Sequence, residues 1–233
     1  MIIPGARNRP LRKVVGCTMA GPGYMGMAAA ARESFEAVTG LPCVLAATPT
    51  DDNYRCKFDL HHRFDDDQTV IYFDADTRWV RAFNPSLITR DFGMVLDPGR
   101  YNPDAFPMYD CEILGMPQAS YGNSGVMIFG SAHRPVWETC NRLWDKITPR
   151  LRDFGEQSLI NYTLQILGVK RFDLHDDWNF APVCINSGRP QNASAIPHLV
   201  HAMGYRHQRR GKRLTDKEAC LNMWEGRFIL EQP

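Results

Sequence analysis

The sequence predicts an α/β domain, and three stretches carry that expectation. Val14 to Thr18 reads as a strand, about Tyr24 to Val38 as an Ala-rich helix, and Cys43 to Ala47 as a second strand. This β-α-β opening predicts parallel strands joined by a right-handed crossover. Val70-Ile71-Tyr72-Phe73 is an unbroken apolar run of strand length, as in a strand buried on both faces. Gly125 to Phe129 is another apolar strand. Arg134 to Ile147 follows it as an amphipathic helix, with Val136, Trp137, Cys140, Leu143, Trp144 and Ile147 on one face.

The remaining elements are weaker. Residues 1–12 are rich in Arg, Pro and Gly and read as a loose arm. Gly21-Pro22-Gly23 breaks the first strand, and Gly40 ends the first helix. Thr48 to Asp52 is the loop after the second strand. Asn84 to Leu87 reads as a turn and Phe92 to Leu96 as a strand. Asp97 to Gln118 holds Pro and Tyr with little periodicity. It is expected to be a long loop with little regular structure, of the kind that often holds substrates. Gln157 to Leu167 reads as a helix, with short strands at Phe172 to Leu174 and Leu199 to Met203. No repeat or linker divides the chain, so a single domain over 1–233 is the simplest parse, ending in a basic segment over 205–233.

The bulk numbers exclude some classes. The chain has 233 residues, 44% hydrophobic and 23% charged, as in an ordinary globular protein. A net charge of +1 gives no global field for nucleic acid or membrane. No apolar run is long enough to span a bilayer, and Met1 to Lys13 lacks the apolar stretch of a secretory signal. Seven scattered cysteines, none in Cys-x-x-Cys, fit free thiols in a reducing, cytoplasmic setting.

The chemistry starts where Val70–Phe73 ends. Asp74 and Asp76 follow it, one residue apart. Ligand groups gather at strand ends in open α/β sheets. Two short carboxylates on a rigid backbone suit a hard divalent cation whose shell is completed by water and phosphate. Asp-x-Asp alone is common, and a strand running into a polar turn reads equally well. Four later segments change the balance: Asn123-Ser124-Gly125-Val126-Met127-Ile128, Asp153 to Asn161, Asp177-Trp178-Asn179, and His201-Ala202-Met203-Gly204.

In order and spacing these segments resemble the retaining nucleotide-sugar glycosyltransferases of the GT-A fold, particularly the glycogenin and galactosyltransferase-like family 8. The resemblance runs from about residue 14 to residue 212. It implies a mixed, mostly parallel sheet flanked by helices, and transfer of a hexose from a nucleotide-diphosphate sugar, UDP-linked by preference. It implies one Mn²⁺ (or Mg²⁺) held by Asp74, Asp76 and His201. Carboxylates with one imidazole suit such an octahedral ion better than tetrahedral zinc. Gln157 matches the residue near the anomeric carbon, with Glu156 and Asp153 as acids beside it. Relatives commonly carry Asp where Glu156 stands, and Glu is one methylene longer. Asn123, Ser124 and Gly125 match the segment lining the donor sugar and acceptor, and Ala75 lies between the metal acids. Thr18, Tyr24 and Asp51 are the candidates at the nucleotide. The Lys-Pro-Trp that usually follows His-x-x-Gly is missing. Gly204 is followed instead by a basic run, in which Arg206, Arg209, Arg210 and Lys212 are candidates for the diphosphate. A saccharide, a protein, a lipid head group or a modified nucleic-acid base is open as acceptor.

Three rival readings stand beside this one. Gly21-Pro22-Gly23-Tyr24-Met25-Gly26 is a formal dinucleotide fingerprint between a strand and a helix, which would make the chain an NAD(P)-dependent oxidoreductase. No acid stands at the end of the second strand to bind the ribose, and Asp51 comes late. A haloacid-dehalogenase-type phosphatase would want Thr or Val at the position of Arg78. A non-catalytic nucleotide-sugar-binding domain would keep the pocket and lose the metal or the Gln.

Overall fold

In the computed structural model, residues 13–51, 54–88, 91–98, 106–151, 155–181, 194, 196–202, 217 and 221 are described. The chain opens with β1 (Lys13–Ala20), α1 (Met25–Thr39) and β2 (Cys43–Ala47). A long 3-10 segment (Tyr54–Arg63) leads to β3 (Gln68–Phe73) and the short β4 (Thr77–Trp79). Then come β5 (Phe92–Leu96), α2 (Phe106–Leu114), β6 (Gly122–Gly130) and α3 (Arg134–Ile147). The chain continues with α4 (Glu156–Ile166), β7 (Arg171–Leu174) and β8 (Leu199–His201).

Six strands form one sheet in the order β2-β1-β3-β6-β5-β7, and β4 pairs with β8 in a second. In the large sheet β1–β2, β1–β3 and β5–β7 are parallel, while β6 runs antiparallel to both β3 and β5. The sheet is therefore mixed and mostly parallel. Both its faces are covered. Val70 and Tyr72 of β3 pack on one face with Trp137 and Cys140 of α3 and Leu159 and Ile160 of α4. Ile71 and Phe73 pack on the other with Ala31 and Phe35 of α1 and with Trp79 and Leu199 of the small sheet. This double burial is why β3 reads as a continuous apolar run.

The expected long loop over Asp97–Gln118 is corrected: α2 occupies Phe106–Leu114, and a 3-10 turn covers Gln118–Ser120. Cys111 and the flanking Met116 and Tyr121 form a small apolar cluster there, so burial offsets the weak periodicity. Among the described residues the strand expected from Leu199 runs Leu199–His201, and Ala202 lies outside it. Among the described residues no helix is long and apolar enough to cross a membrane.

Candidate functional site

The two sheets meet at the Asp-x-Asp turn. The Asp74 N–H donates to the Gly125 carbonyl of β6 at 2.9 Å, and Thr77 Oγ1 closes the turn on the Asp74 carbonyl at 2.7 Å. The chain then re-enters as β4, whose Thr77 lies opposite His201 of β8. Ala202 N–H donates to the Asp76 carbonyl at 2.9 Å. Register thus carries His201 to the acids, although it lies 125 residues from Asp76 in sequence. One ligand atom from each of Asp74, Asp76 and His201 lies within 4.8 Å of the others. His201 Nε2 is 3.1 Å from Asp76 Oδ1 and 3.8 Å from Asp74 Oδ2.

The histidine's orientation is fixed from behind. Asn179 Nδ2 donates to Asn123 Oδ1 at 2.8 Å, which turns Asn179 Oδ1 toward His201 Nδ1 at 2.7 Å. A carbonyl oxygen can only accept, so Nδ1 carries the proton and Nε2 faces the carboxylates. A lone pair on Nε2 and a carboxylate oxygen repel unless a proton or a cation lies between them. Two carboxylates and an imidazole braced by an outer hydrogen bond fit an oxygen-preferring divalent ion. Gly125 leaves the room: a Cβ there would lie 2.4 Å from His201 Cε1. The close approach at Gly125 is thus made by the His201 ring.

Beside this cluster lies a buried polar network. Lys57, from the 3-10 segment, has a side chain only 3% exposed and places Nζ 3.0 Å from Asp74 Oδ1 and 2.9 Å from Glu156 Oε1. Burial acts to lower its pKa, but the Asp74 and Glu156 charges outweigh burial and hold it well above the usual range. Tyr72 Oη donates to Asp74 Oδ1 at 2.7 Å. Burial, reinforced by the Asp74 charge, lifts that phenol well above its usual range. Burial would raise the pKa of Asp76, yet Lys217 and His201 more than compensate and hold its carboxyl well below the usual range. Lys217 donates to Asp76 Oδ2 and stands 5.8 Å from the centre of the Tyr24 ring.

Glu156 and Gln157 open α4 behind Gly155, whose φ of 89° is left-handed and favours glycine. Ser124 joins the two: its Oγ donates to Glu156 Oε1 at 2.8 Å, and its N–H donates to Gln157 Oε1 at 2.9 Å. Gln157 Nε2 and Asn123 Nδ2 both donate to Asp97 Oδ2, at 3.0 and 2.9 Å. Asn123, Ser124, Glu156 and Gln157 are thus one braced group next to the acids, linked to them through Lys57.

The nucleotide candidates are placed less uniformly. Tyr24 packs against two small clusters, one holding Ala20 and Ala75 and the other Ala202 and Leu221. Thr18 is wholly buried, and its hydroxyl has no hydrogen-bond partner among the described residues. Asp51 is exposed and accepts the Gly23 N–H at 2.9 Å. Asp153, Gly204, Arg206, Arg209, Arg210 and Lys212 lie outside the described residues, as does Asp52.

Sequence reasoning missed Lys57, Asp97 and Lys217. Lys57 sits in Tyr54–Arg63, where no motif surrounds it, and Asp97 opens the stretch expected to be a loop. Lys217 lies beyond the basic run. The dinucleotide reading loses support on two counts. A Cβ on Gly21 or Gly23 would meet Asp51 atoms at 2.5 to 2.6 Å, so a carboxylate fills the glycine turn where a pyrophosphate would pack. The antiparallel β6 also departs from the dinucleotide-binding sheet.

No family model matches the chain, and no curated protein matches it. Solved structures do. The galactosyltransferase LgtC, in complex with donor and acceptor sugar analogs, superposes with a TM-score of 0.63 at 13% identity, covering 82% of this chain and 87% of that one. The bifunctional glycosyltransferase WbbM, in its apo form, gives 0.61 at 12% identity over 83% of this chain and 46% of that one. Mouse xyloside xylosyltransferase 1, also apo, gives 0.53 at 11% identity over 82% and 97%. The chain has the GT-A fold of these glycosyltransferases.

Proposed function

We propose that this chain is a metal-dependent glycosyltransferase moving a hexose from a nucleotide-diphosphate sugar, UDP-linked in our reading, to an acceptor with retention of configuration. The single observation that carries the proposal is the convergence of Asp74, Asp76 and His201 at the junction of the two sheets, with ligand atoms within 4.8 Å. It stands in a fold shared with glycosyltransferases, and kinship with family 8 belongs to the same reading.

A bound Mn²⁺ or Mg²⁺ would neutralise charge that builds on the departing nucleoside diphosphate. The chain's own residues do the rest. Lys57 fixes the spacing of Asp74 and Glu156. Ser124 and Asp97 lock the Gln157 amide, so that it meets the donor sugar without reorganising. Glu156 Oε1 is already held by Lys57 and Ser124. That bracing suits a positioning acid better than a free nucleophile, and it favours front-face attack over double displacement. In front-face attack the acceptor hydroxyl's proton passes to the departing phosphate oxygen, and no side chain need act as base. Thr18, Tyr24, Ala75 and Asp51 are assigned to the nucleotide side, and Gly204, Arg206 and Lys212 to the diphosphate.

Calorimetry with UDP, with and without Mn²⁺, tests the reading. Manganese-dependent UDP binding that disappears in a folded Asp76→Asn protein is expected. NAD⁺ or NADP⁺ binding without metal, or undiminished UDP binding in Asp76→Asn, would overturn it.

A further inference from the structure

Each candidate metal acid has its own lysine, and the two lysines are held very differently. Lys57 is enclosed, 3% exposed, between Asp74, Glu156 and the face of Tyr72, whose ring centre is 5.1 Å from Nζ. Lys217 comes from the C-terminal segment with 14% of its side chain exposed. Among the described residues its ammonium meets Asp76 Oδ2 and the face of Tyr24. Asp76 therefore has both oxygens engaged, Oδ1 toward His201 and Oδ2 by Lys217.

We propose that Lys217 is a displaceable counter-ion of the metal site: it holds Asp76 while no divalent cation is bound and leaves when one enters, whereas Lys57 stays on Asp74. The inference rests on the metal reading given above. A divalent cation beside Asp76 would share that carboxylate with an ammonium, and the like charges repel in a poorly hydrated site. Lys57 cannot yield, because its departure would strand Glu156, itself 5% exposed, without its cation. Lys217 leaves no such buried charge behind once the metal replaces it. The empty protein then binds the ion weakly. It binds tightly only when Lys217 is offered another anion, and a donor phosphate is the one at hand. The metal and the donor thus bind cooperatively, with a lysine as the coupling element.

The test titrates Mn²⁺ alone into wild type, Lys217→Met and Asp76→Asn by calorimetry. In parallel, wild type is acylated with acetic anhydride with and without Mn²⁺ and read by peptide mass spectrometry. Expected are Mn²⁺ binding at least about tenfold tighter in Lys217→Met, as removal of a competing charge predicts, and none in Asp76→Asn. Lys217 acylation should rise several-fold with Mn²⁺ while Lys57 stays unmodified. Equal or weaker affinity in Lys217→Met, or unchanged Lys217 acylation on saturation, would overturn the counter-ion role and leave the metal reading intact. Absence of Mn²⁺ binding in both wild type and Lys217→Met would overturn the two together. Acylation of wild type decides the matter if Lys217→Met does not fold.

Discussion

Lys57 shows how far one residue can matter to a site without announcing itself. In sequence it is a lone lysine between Cys56 and Phe58. In the fold it is a buried cation between the buried Glu156 and the half-buried Asp74. Removing one partner of a buried pair is costly because the other is left uncompensated. Lys57→Met is expected to lower unfolding free energy by about 3–5 kcal/mol, the range for breaking such a pair. Adding Glu156→Gln should restore part of that loss, since the double variant no longer buries an unpaired Glu156. Urea denaturation of the two single variants and the double reads the coupling. A cost under about 1 kcal/mol for Lys57→Met, the scale of a solvent-screened pair, would mean that the lysine is not a buried bridge.

At the scale of elements, the site is a meeting of strand ends, and β6 is its pivot. Gly125 ties the Asp74 turn through its carbonyl and makes room for His201 through its missing Cβ. Gly125→Ala places a methyl 2.4 Å from His201 Cε1, so the ring must move off Asp76. The expected outcome is at least a tenfold loss of Mn²⁺ affinity, with an overpacking cost of about 1–3 kcal/mol. Calorimetry and a melting curve on the same sample check it, and unchanged affinity would sever His201 from the metal. The elements themselves were unevenly legible. The bounds of β2, β5 and α3 agree with the sequence reading, because apolar runs and a one-sided helical face survive any context. By contrast, α2 was hidden by prolines and weak amphipathicity, and β4 by its length: Thr77-Arg78-Trp79 is too short to show a period. Asp-x-Asp and His-x-x-Gly marked the acids and the histidine. The bracing by Asn179, Ser124 and Asp97 was not legible, since pairings between distant polar residues leave no local pattern.

For the molecule as a whole, the fold persists at 11 to 13% identity to solved glycosyltransferases, so burial pattern rather than residue identity specifies it. That burial makes stability depend on pH from both sides. Burial pushes the His61 and His198 pKa values down, so neither accepts a proton readily when folded. Groups with lowered values contribute fully above their unfolded pKa, about 6.5 for His, and that contribution is lost as pH falls through the folded value. Asp76 and Asp177 behave alike, with losses starting below about pH 3.9, the unfolded Asp value. On the alkaline side the thiols act. Burial raises Cys17 and Cys140 to about 12 and Cys111 to about 11, and pushes Cys43 up as well. Raised groups contribute fully below the unfolded thiol value of about 8.5, and their contribution falls away as pH rises toward the folded values. Stability should therefore peak between about pH 6.5 and 8.5. Above that window each buried thiol steepens the fall by about 1.4 kcal/mol per pH unit, because only the unfolded chain ionises it. Urea denaturation under reducing conditions at pH 7, 9 and 10 measures the alkaline limb. Cys140→Ala should make that limb shallower by about 1.4 kcal/mol per pH unit while lowering stability at pH 7 through lost packing. A limb whose slope is the same with and without Cys140 would mean that this thiol ionises as freely in the folded protein as in the unfolded chain.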